Sequence, residues 1–326
     1  MTKQASPNRK GKDAWFPKGK IIAGRYELAR PLGSGGWGQV YLARDRVLGR
    51  QVAVKRLLPS LSVDEEAVER FHREASVIAS VQDPHVLTIF DTIREGDDHF
   101  IIMEYADAGT LSQALRWEGM FNAFETLNVA IDVCKGLRAV HNKGIIHRDI
   151  KPANVLFFSR SDGFPLSKLA DFGIAIQPDD QRLTPQQRVL GTLIYLSPEQ
   201  VSGYARLTPA SDLYSLGVIM YEMMAGELDE PFFLRRIEDL GHQEGLEHFA
   251  RFPEPLQPTL YRVLQSRPAA RFQSADEMLQ ALERTRGRLT ASLATQRILE
   301  ETLEEMRRRT PPSDTPVSAL PPQPPP

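Results

Sequence analysis

The sequence has 326 residues, of which 41% are hydrophobic and 25% are charged, enough for one large globular domain or two lobes with tails. Forty basic and 42 acidic side chains give a net charge of −2, which excludes the basic surplus of a typical nucleic-acid-binding protein. The single cysteine, Cys134, excludes an internal disulfide and favours a reducing compartment.

The chain lacks the apolar run of roughly 20 residues that a membrane span requires. The basic N-terminus is not followed by the apolar stretch of a secretory signal. We therefore expect a cytoplasmic protein with neither a membrane nor a nucleic-acid partner. Residues 1–25 are expected to form a flexible basic arm; a contact of this arm with nucleic acid or lipid is the alternative.

Short strands are predicted at residues 26–32 and 40–43, on either side of a glycine-rich turn. Glycine lets the backbone approach phosphate oxygens and direct its N–H groups at them. A glycine run alone is more often a flexible hairpin turn. The pattern gains weight because Lys55 follows on the next strand, on the same face as the small Ala53.

A helix is then predicted to begin at a capping box of Ser62 and Glu65. Glu74 lies on its apolar face, where a carboxylate is costly unless it is paired. Lys55 is the candidate partner, and an ordinary surface glutamate is the alternative. A hairpin is predicted at residues 87–93 and 99–104, and a helix at 124–142, whose apolar stripe places Cys134 in the core.

The most informative stretch is His147-Arg148-Asp149-Ile150-Lys151-Pro152-Ala153-Asn154, followed by Asp171-Phe172-Gly173. Phosphoryl transfer needs a carboxylate near the attacking hydroxyl and oxygen ligands for magnesium. Asp149, Asn154 and Asp171 have the spacing of the H-R-D-x-K-x-x-N and D-F-G motifs. The chain therefore resembles the eukaryotic-like (Hanks-type) serine/threonine protein kinases, most closely their bacterial members.

This resemblance implies an α+β, bilobal protein-kinase fold spanning residues 26–287. The N-lobe, about 26–105, would be a small antiparallel sheet with one key helix, and the C-lobe, about 106–287, mostly helical. ATP and Mg²⁺ or Mn²⁺ would be the cofactors, and proteins with Ser or Thr acceptors the substrates. Two alternatives remain: a pseudokinase scaffold, and a small-molecule phosphotransferase of related fold.

The resemblance also implies roles for individual residues. Asp149 would orient the substrate hydroxyl or accept its proton, and Asn154 and Asp171 would hold the metal. Lys151 would contact the γ-phosphate, with Thr192 tying it to Asp149.

In the nucleotide site, Lys55 would contact the α- and β-phosphates and be held by Glu74. Met103 would be the gatekeeper, at the start of a hinge at 104–106. The expected nucleotide-binding residues are Leu32, Gly33, Ser34, Gly35, Gly36, Trp37, Gly38, Val40, Ala53, Lys55, Met103, Glu104, Ala106 and Leu156.

Supporting residues follow from the same resemblance. His147 would pack on Phe172 and not act as a base. Asp212, at the start of a buried helix, would cap that helix and brace the catalytic loop. Arg271 would pair with Glu199.

Regulation is predicted from the segment after Phe172. Thr184 is the only hydroxyl residue between Phe172 and Gly191, and its phosphate could pair with Arg148, next to Asp149. A second copy of the chain would add this phosphate, which implies self-association. Pairing of Asp179 or Asp180 with Arg148 is the alternative.

Residues 226–255 depart from the family pattern, because the Pro-Phe pair that normally follows a helix-ending glycine closely is displaced to Pro231-Phe232. In relatives this region often docks substrates, so their substrate specificity is not carried over to this chain. A capping box of Ser274 and Glu277 starts a helix that Gly287 is expected to end. Residues 288–309 would form a separate helix, either a coiled coil or packed on the C-lobe. Residues 310–326 would be a disordered, proline-rich tail.

Overall fold

An antiparallel sheet forms the first lobe. The computed structural model describes residues 14–161, 163–172, 194–202, 207–226, 228 and 249–309, the last stretch without the side chains of 293 and 296–309. Six strands lie in the order β1-β2-β3-β4-β6-β5, every neighbouring pair antiparallel. The strands are β1 (Ile21–Ile22), β2 (Tyr26–Ser34), β3 (Gly38–Asp45), β4 (Gln51–Leu57), β5 (Ile89–Glu95) and β6 (Asp98–Glu104).

The alternation along β4 gives the sheet two different faces. Val52 and Val54 are fully buried in an apolar cluster on one face. Ala53 belongs to a second cluster, and its register partner on β6 is Met103. The two faces of β4 therefore divide as the sequence predicts, and the small residue faces the cavity described below.

Helix α1 (Glu65–Ala79) connects β4 to β5, but its start corrects a prediction. Asp64 caps it, because its carboxylate accepts from the N–H groups of Glu66 and Ala67 at 3.0 and 3.3 Å. Ser62 was the wrong cap. It lies in the preceding turn, where its hydroxyl donates to the Leu58 carbonyl at 3.4 Å.

The N-terminal arm is also shorter than predicted. The Phe16 N–H donates to the Tyr41 hydroxyl at 3.0 Å, and the Trp15 ring meets the Tyr41 ring edge-on, 5.1 Å between centroids. The Lys20 ammonium lies 3.3 Å from the centre of the Phe16 ring. The expectation of a flexible arm is therefore wrong for residues 14–25, which pack on the sheet, while residues 1–13 lie outside the described part.

The second lobe is mostly helical. Its elements are α2 (Leu111–Glu118), α3 (Ala123–His141), the hairpin β7 (Val155–Phe158) and β8 (Leu166–Leu169), α4 (Pro198–Ser202), α5 (Pro209–Ala225), α6 (Gln257–Val263) and α7 (Ala275–Arg309). Helices α3 and α5 supply the largest shares of its apolar core, which includes Cys134, as predicted. The architecture is the α+β, two-lobed arrangement expected from the sequence.

Helix α7 contradicts the predicted break at Gly287. It runs unbroken from Ala275 to Arg309, so residues 288–309 are not a separate helix. Glycine inside a helix costs only about 1 kcal/mol relative to alanine. Leu282 and Leu289, on either side of Gly287, are both buried in the core of the second lobe, and this packing offsets that cost.

Among the described residues, every helix falls short of the combined length and apolar character that crossing a bilayer would take.

Candidate active site

A cavity of about 660 Å³ lies between the sheet and the helical lobe. Its apolar walls come from β2, β3 and β4 on one side and from Leu156 on β7 on the other. Eight predicted nucleotide-binding residues line it: Leu32, Gly33, Val40, Ala53, Met103, Glu104, Ala106 and Leu156. A largely apolar cleft of this size, with polar groups at one end, suits an adenine ring.

The sequence missed several apolar lining residues, among them Leu87 and Ala170. Ala170 directly precedes the D-F-G motif, so its position could have been inferred from the motif. Leu87 offered no comparable signal, because it reaches the cavity through pairing of its backbone with Leu169 (N···O 2.8 Å).

The glycine-rich turn lies at the junction of β2 and β3. Its residues Ser34, Gly35, Gly36, Trp37 and Gly38 follow Gly33 without lining the cavity. The Gly35 N–H donates to the Gly38 carbonyl at 2.9 Å and closes the turn. Gly38 must be glycine for a packing reason, because a Cβ there would lie 2.5 Å from the Arg56 carbonyl oxygen. Contact of this turn with phosphate stays a prediction.

Lys55 on β4 meets two carboxylates at the inner end of the cavity. Its ammonium lies 2.6 Å from an oxygen of Asp171 and 3.7 Å from an oxygen of Glu74. Only about a tenth of the side chains of Lys55 and Glu74 is exposed, whereas half of the Asp171 side chain is exposed. The sequence-predicted pairing of Lys55 with Glu74 is thus present, with Asp171 as the nearer partner.

Burial and the neighbouring charges shift the pKa values of Lys55 and Glu74 in opposing directions. Burial alone would lower the pKa of Lys55, but the Asp171 and Glu74 carboxylates outweigh it and raise the pKa above its ordinary value. Burial raises the pKa of Glu74 to about 7, helped by the nearby charges of Asp171 and Asp149 and opposed by Lys55. Lys55 therefore stays a cation, while Glu74 gains or loses a proton near neutral pH.

Asp149 lies in the loop after α3, inside a network of donors. The Lys151 ammonium is 2.7 Å from its Oδ2 atom. The side-chain amide of Asn154 donates to Oδ2 at 3.0 Å and to the backbone carbonyls of Asp149 and Asp171 at 2.8 and 3.2 Å. Because the amide N–H₂ group of Asn154 is used in this way, its carbonyl oxygen remains available as a ligand. Three of the predicted catalytic and metal-binding residues thus meet at one place.

The backbone beside these groups adopts a conformation that L-residues rarely take. Arg148 has a φ of 70° and Asp171 a φ of 50°, both in the left-handed region. Such a conformation costs free energy and persists only where surrounding contacts hold it. At Arg148 those contacts come from Asp212 on α5, whose two oxygens accept from the N–H groups of His147 and Arg148, each at 2.8 Å.

The structure corrects one detail of the Asp212 prediction. Asp212 braces the catalytic loop, as expected, and His141 Nε2 also lies 2.8 Å from its carboxylate. The N-terminus of α5 is instead closed by Ser211, whose hydroxyl accepts from the Thr208 N–H at 3.2 Å. His147 is fully buried and stacks on Phe172 with 4.5 Å between ring centroids, which confirms its packing role.

A buried ion pair in the second lobe is connected to the catalytic loop. Arg271 and Glu199 form two parallel hydrogen bonds of 2.8 Å, and both side chains are buried. The neighbouring Gln200 donates from its amide to the Arg148 carbonyl at 2.9 Å. Glu199 and Gln200 therefore connect the predicted Arg271 anchor to the residue beside Asp149.

The remaining predicted site residues lie outside the described part of the chain. They are Gly173, Asp179, Asp180, Thr184 and Thr192. Their roles stay predictions.

The donor set fits a hard divalent cation. A half-exposed carboxylate at Asp171 and the amide oxygen of Asn154 are oxygen ligands of the kind that Mg²⁺ and Mn²⁺ prefer. Asp171 lines the cavity beside the Lys55 cation, and the Asn154 side-chain amide lies 3.2 Å from the Asp171 backbone carbonyl.

Comparison with known proteins identifies both a matching domain profile and relatives of this chain. The profile of the protein kinase domain matches residues 26–295. A probable serine/threonine-protein kinase of Clostridium perfringens is 34% identical over 273 residues, which cover 82% of this chain and 39% of that protein. The serine/threonine-protein kinase PrkC of Bacillus subtilis is 38% identical over 210 residues, covering 64% of this chain and 32% of PrkC.

Solved structures agree with these relatives. The PknI kinase domain of Mycobacterium tuberculosis superposes with a TM-score of 0.61 and 29% identity, covering 83% of this chain and all of that domain. The chain spans about two fifths or less of the length of the curated relatives named above. With the matched domain covering most of the chain and the site assembled as described, the chain belongs to the protein kinase family, among the serine/threonine protein kinases, which use ATP and a divalent metal.

Proposed function

We propose that this chain transfers the γ-phosphoryl group of ATP to serine and threonine hydroxyls of proteins, using Mg²⁺ or Mn²⁺. The observation that carries the proposal is the convergence of Asp149, Lys151 and Asn154 beside Asp171 at the inner end of an apolar cavity. Phosphoryl transfer depends on such positioning and on counter-charge more than on covalent catalysis.

Asp149 acts on the acceptor. Its carboxylate is held by Lys151 and Asn154 and can orient a substrate hydroxyl or accept its proton. The Lys151 ammonium, 2.7 Å from Asp149 Oδ2, would contact the γ-phosphate and stabilise the charge on its oxygens.

Lys55 acts on the nucleotide. Its ammonium now contacts Asp171, and a nucleotide's α- and β-phosphates would compete for it. Glu74 then keeps the ammonium in place from the α1 side. Asp171 and Asn154 would hold the metal ion, which supplies positive charge to the phosphates when bound. The oxygen chemistry of these two side chains supports this assignment without distinguishing Mg²⁺ from Mn²⁺.

Control through Thr184 is the finer part of the proposal. Its support is in the sequence: Thr184 is the only hydroxyl residue between Phe172 and Gly191, and Arg148 directly precedes Asp149. A phosphate on Thr184 would pair with Arg148 and order the intervening segment, and a second copy of the chain would add it. The cytoplasmic location, and the expected lack of membrane and nucleic-acid partners, also stay predictions.

The test is transfer of label from γ-labelled ATP to a generic protein and to the chain itself, with Mg²⁺ and then Mn²⁺, followed by phosphoamino-acid analysis. We expect label on serine and threonine. Label mainly on tyrosine would contradict the acceptor class, and label on a small molecule alone would favour the phosphotransferase alternative. Nucleotide binding without any transfer would favour the pseudokinase scaffold.

A further inference from the structure

An ion pair joins Glu104, one of the residues that line the cavity, to a lysine that has no part in the catalytic groups described above. The Lys168 ammonium on β8 lies 2.8 and 2.7 Å from the two carboxylate oxygens of Glu104, the last residue of β6. The Thr88 N–H donates to the same carboxylate at 2.7 Å. The two side chains are 12% and 18% exposed, so water screens the pair only partly.

The pair connects the two sides of the nucleotide site. Glu104 lines the cavity where the hinge begins, and its N–H donates to the Thr88 carbonyl at 3.0 Å. Lys168 precedes Asp171 by three residues on the strand that leads to the metal-binding position. One carboxylate thus joins the strand beside the adenine site, in the first lobe, to the strand that leads to Asp171, in the second.

Backbone hydrogen bonds complete the connection. The Leu87 N–H donates to the Leu169 carbonyl at 2.8 Å, and the Leu169 N–H donates to the His85 carbonyl at 2.9 Å. The stretch before β5 is therefore hydrogen-bonded to β8 on one side and to Glu104 on the other. These bonds fix the separation of the strands, and the Glu104–Lys168 pair adds two charge-assisted bonds between them in a partly buried setting.

We propose that Glu104 and Lys168 form a positioning pair that holds the hinge at a fixed distance from Asp171, so that the adenine and phosphate contacts of ATP are available together. The proposal rests on the proposed function, since it assigns ATP to this cavity. Neither side chain touches the reacting atoms. Without the pair, the binding-competent arrangement is less populated, and nucleotide affinity falls in proportion.

The variants follow from the geometry. Lys168→Met keeps the length of the side chain and removes its charge, and Glu104→Gln keeps the shape and the acceptor for Thr88. Lys168→Arg keeps the charge and is the rescue variant. Lys143→Met, at an exposed lysine in the turn that follows α3, is the matched control.

Affinity for ADP with Mg²⁺ is measured by calorimetry, together with KM for ATP, kcat and the thermal unfolding midpoint. We expect Lys168→Met to weaken ADP binding and raise KM by about tenfold, with kcat changed by less than about threefold. The effect stays near tenfold because Lys168 also borders a second cavity of about 430 Å³, through which water can reach Glu104 in the variant. Lys168→Arg should recover affinity to within about twofold, and Lys143→Met should equal wild type.

Glu104→Gln and Lys168→Met each remove the same interaction. The double variant should therefore lose no more affinity for ADP than the single variant that binds ADP less tightly. Unchanged or tighter ADP binding in Lys168→Met, or additive losses in the double variant, would overturn the proposal. A lower unfolding midpoint with unchanged affinity would also overturn it and make the pair purely structural. If Lys168→Met does not fold, Glu104→Gln and Lys168→Arg decide the question alone. Wild-type protein that binds no ADP would instead refute the assignment of ATP to the cavity.

Discussion

Removing the Arg271 guanidinium should destabilise the second lobe more than removing any surface charge. Arg271 has no exposed surface, and its partner Glu199 is 7% exposed. Besides its two bonds to Glu199, the guanidinium donates to the backbone carbonyls of Gln265 at 2.6 Å and Ser266 at 2.9 Å. In Arg271→Ala, a buried carboxylate and these carbonyls lose their partner together.

The magnitude follows from the burial of the pair. Breaking a buried ion pair by removing one partner costs about 3–5 kcal/mol, because the other charge stays behind uncompensated. In Glu199→Gln the amide keeps one acceptor oxygen, so one of the two bonds to the guanidinium is lost and the other is weakened. Arg271 keeps its bonds to backbone carbonyls, so we expect a smaller loss of about 1.5–3 kcal/mol. The guanidinium also lies 4.6 Å from the centre of the Tyr214 ring, a contact that Glu199→Gln preserves.

The assay is urea unfolding at pH 7, read as the free energy of unfolding. Arg73→Ala is the control, because Arg73 forms an exposed i, i+4 pair with Glu69 at 3.1 Å on α1, worth about 0.5 kcal/mol or less. If Arg271→Ala lost less than about 1 kcal/mol, the buried pair would be no more important than the exposed one, and this reasoning would be refuted.

Three further predictions concern the catalytic groups. Lys55→Met and Asp171→Ala should each lower kcat/KM for phosphoryl transfer at least about 10²-fold; activity near that of wild type would remove their assigned roles. Because burial raises the pKa of Glu74 to about 7 from an ordinary 4.5, the folded protein keeps a proton that the unfolded chain releases. The stability of nucleotide-free wild type relative to Glu74→Gln is therefore greatest below about pH 4.5 and falls as the pH rises to about 7; urea unfolding across this range checks it, and a flat or rising difference would contradict it. Thr184→Ala should lose most activity while still binding ATP, and mass spectrometry of active wild type should find phosphate on Thr184; a fully active, unphosphorylated variant would favour pairing of Asp179 or Asp180 with Arg148.

Contacts set by motif spacing could be predicted from the sequence. The Lys55–Glu74 pair, the Arg271–Glu199 pair and the stacking of His147 on Phe172 all occur. The first was predicted from the chemistry of its residues, a carboxylate on an apolar helix face, and the other two from the family resemblance. Burial makes such a carboxylate costly without a partner, so a nearby opposite charge is a strong inference.

The local signals that predict where helices begin and end were less reliable. Gly287 does not end α7, because packing of the leucines around it outweighs the weak helix propensity of one glycine. Asp64 caps α1 in place of Ser62, since both are good caps and the turn before the helix decides between them. Trp15 and Phe16 looked like part of a polar tail, although their rings pack on the sheet.

The Glu104–Lys168 pair could not have been predicted in this way. The two residues are 64 positions apart, and neither is unusual for its local sequence. Their contact depends on how β8 lies against the end of β6, which is a property of the assembled fold.

The central claim is that Asp149 acts in phosphoryl transfer from ATP, and one comparison tests it most directly. The affinity of wild type, Asp149→Asn and the exposed control Asp97→Asn for ADP is measured first. Each protein is then incubated with γ-labelled ATP, Mg²⁺ and a generic protein acceptor. We predict that Asp149→Asn binds ADP like wild type and transfers label at least about 10²-fold more slowly, while Asp97→Asn matches wild type. Transfer by Asp149→Asn at the wild-type rate would contradict the account.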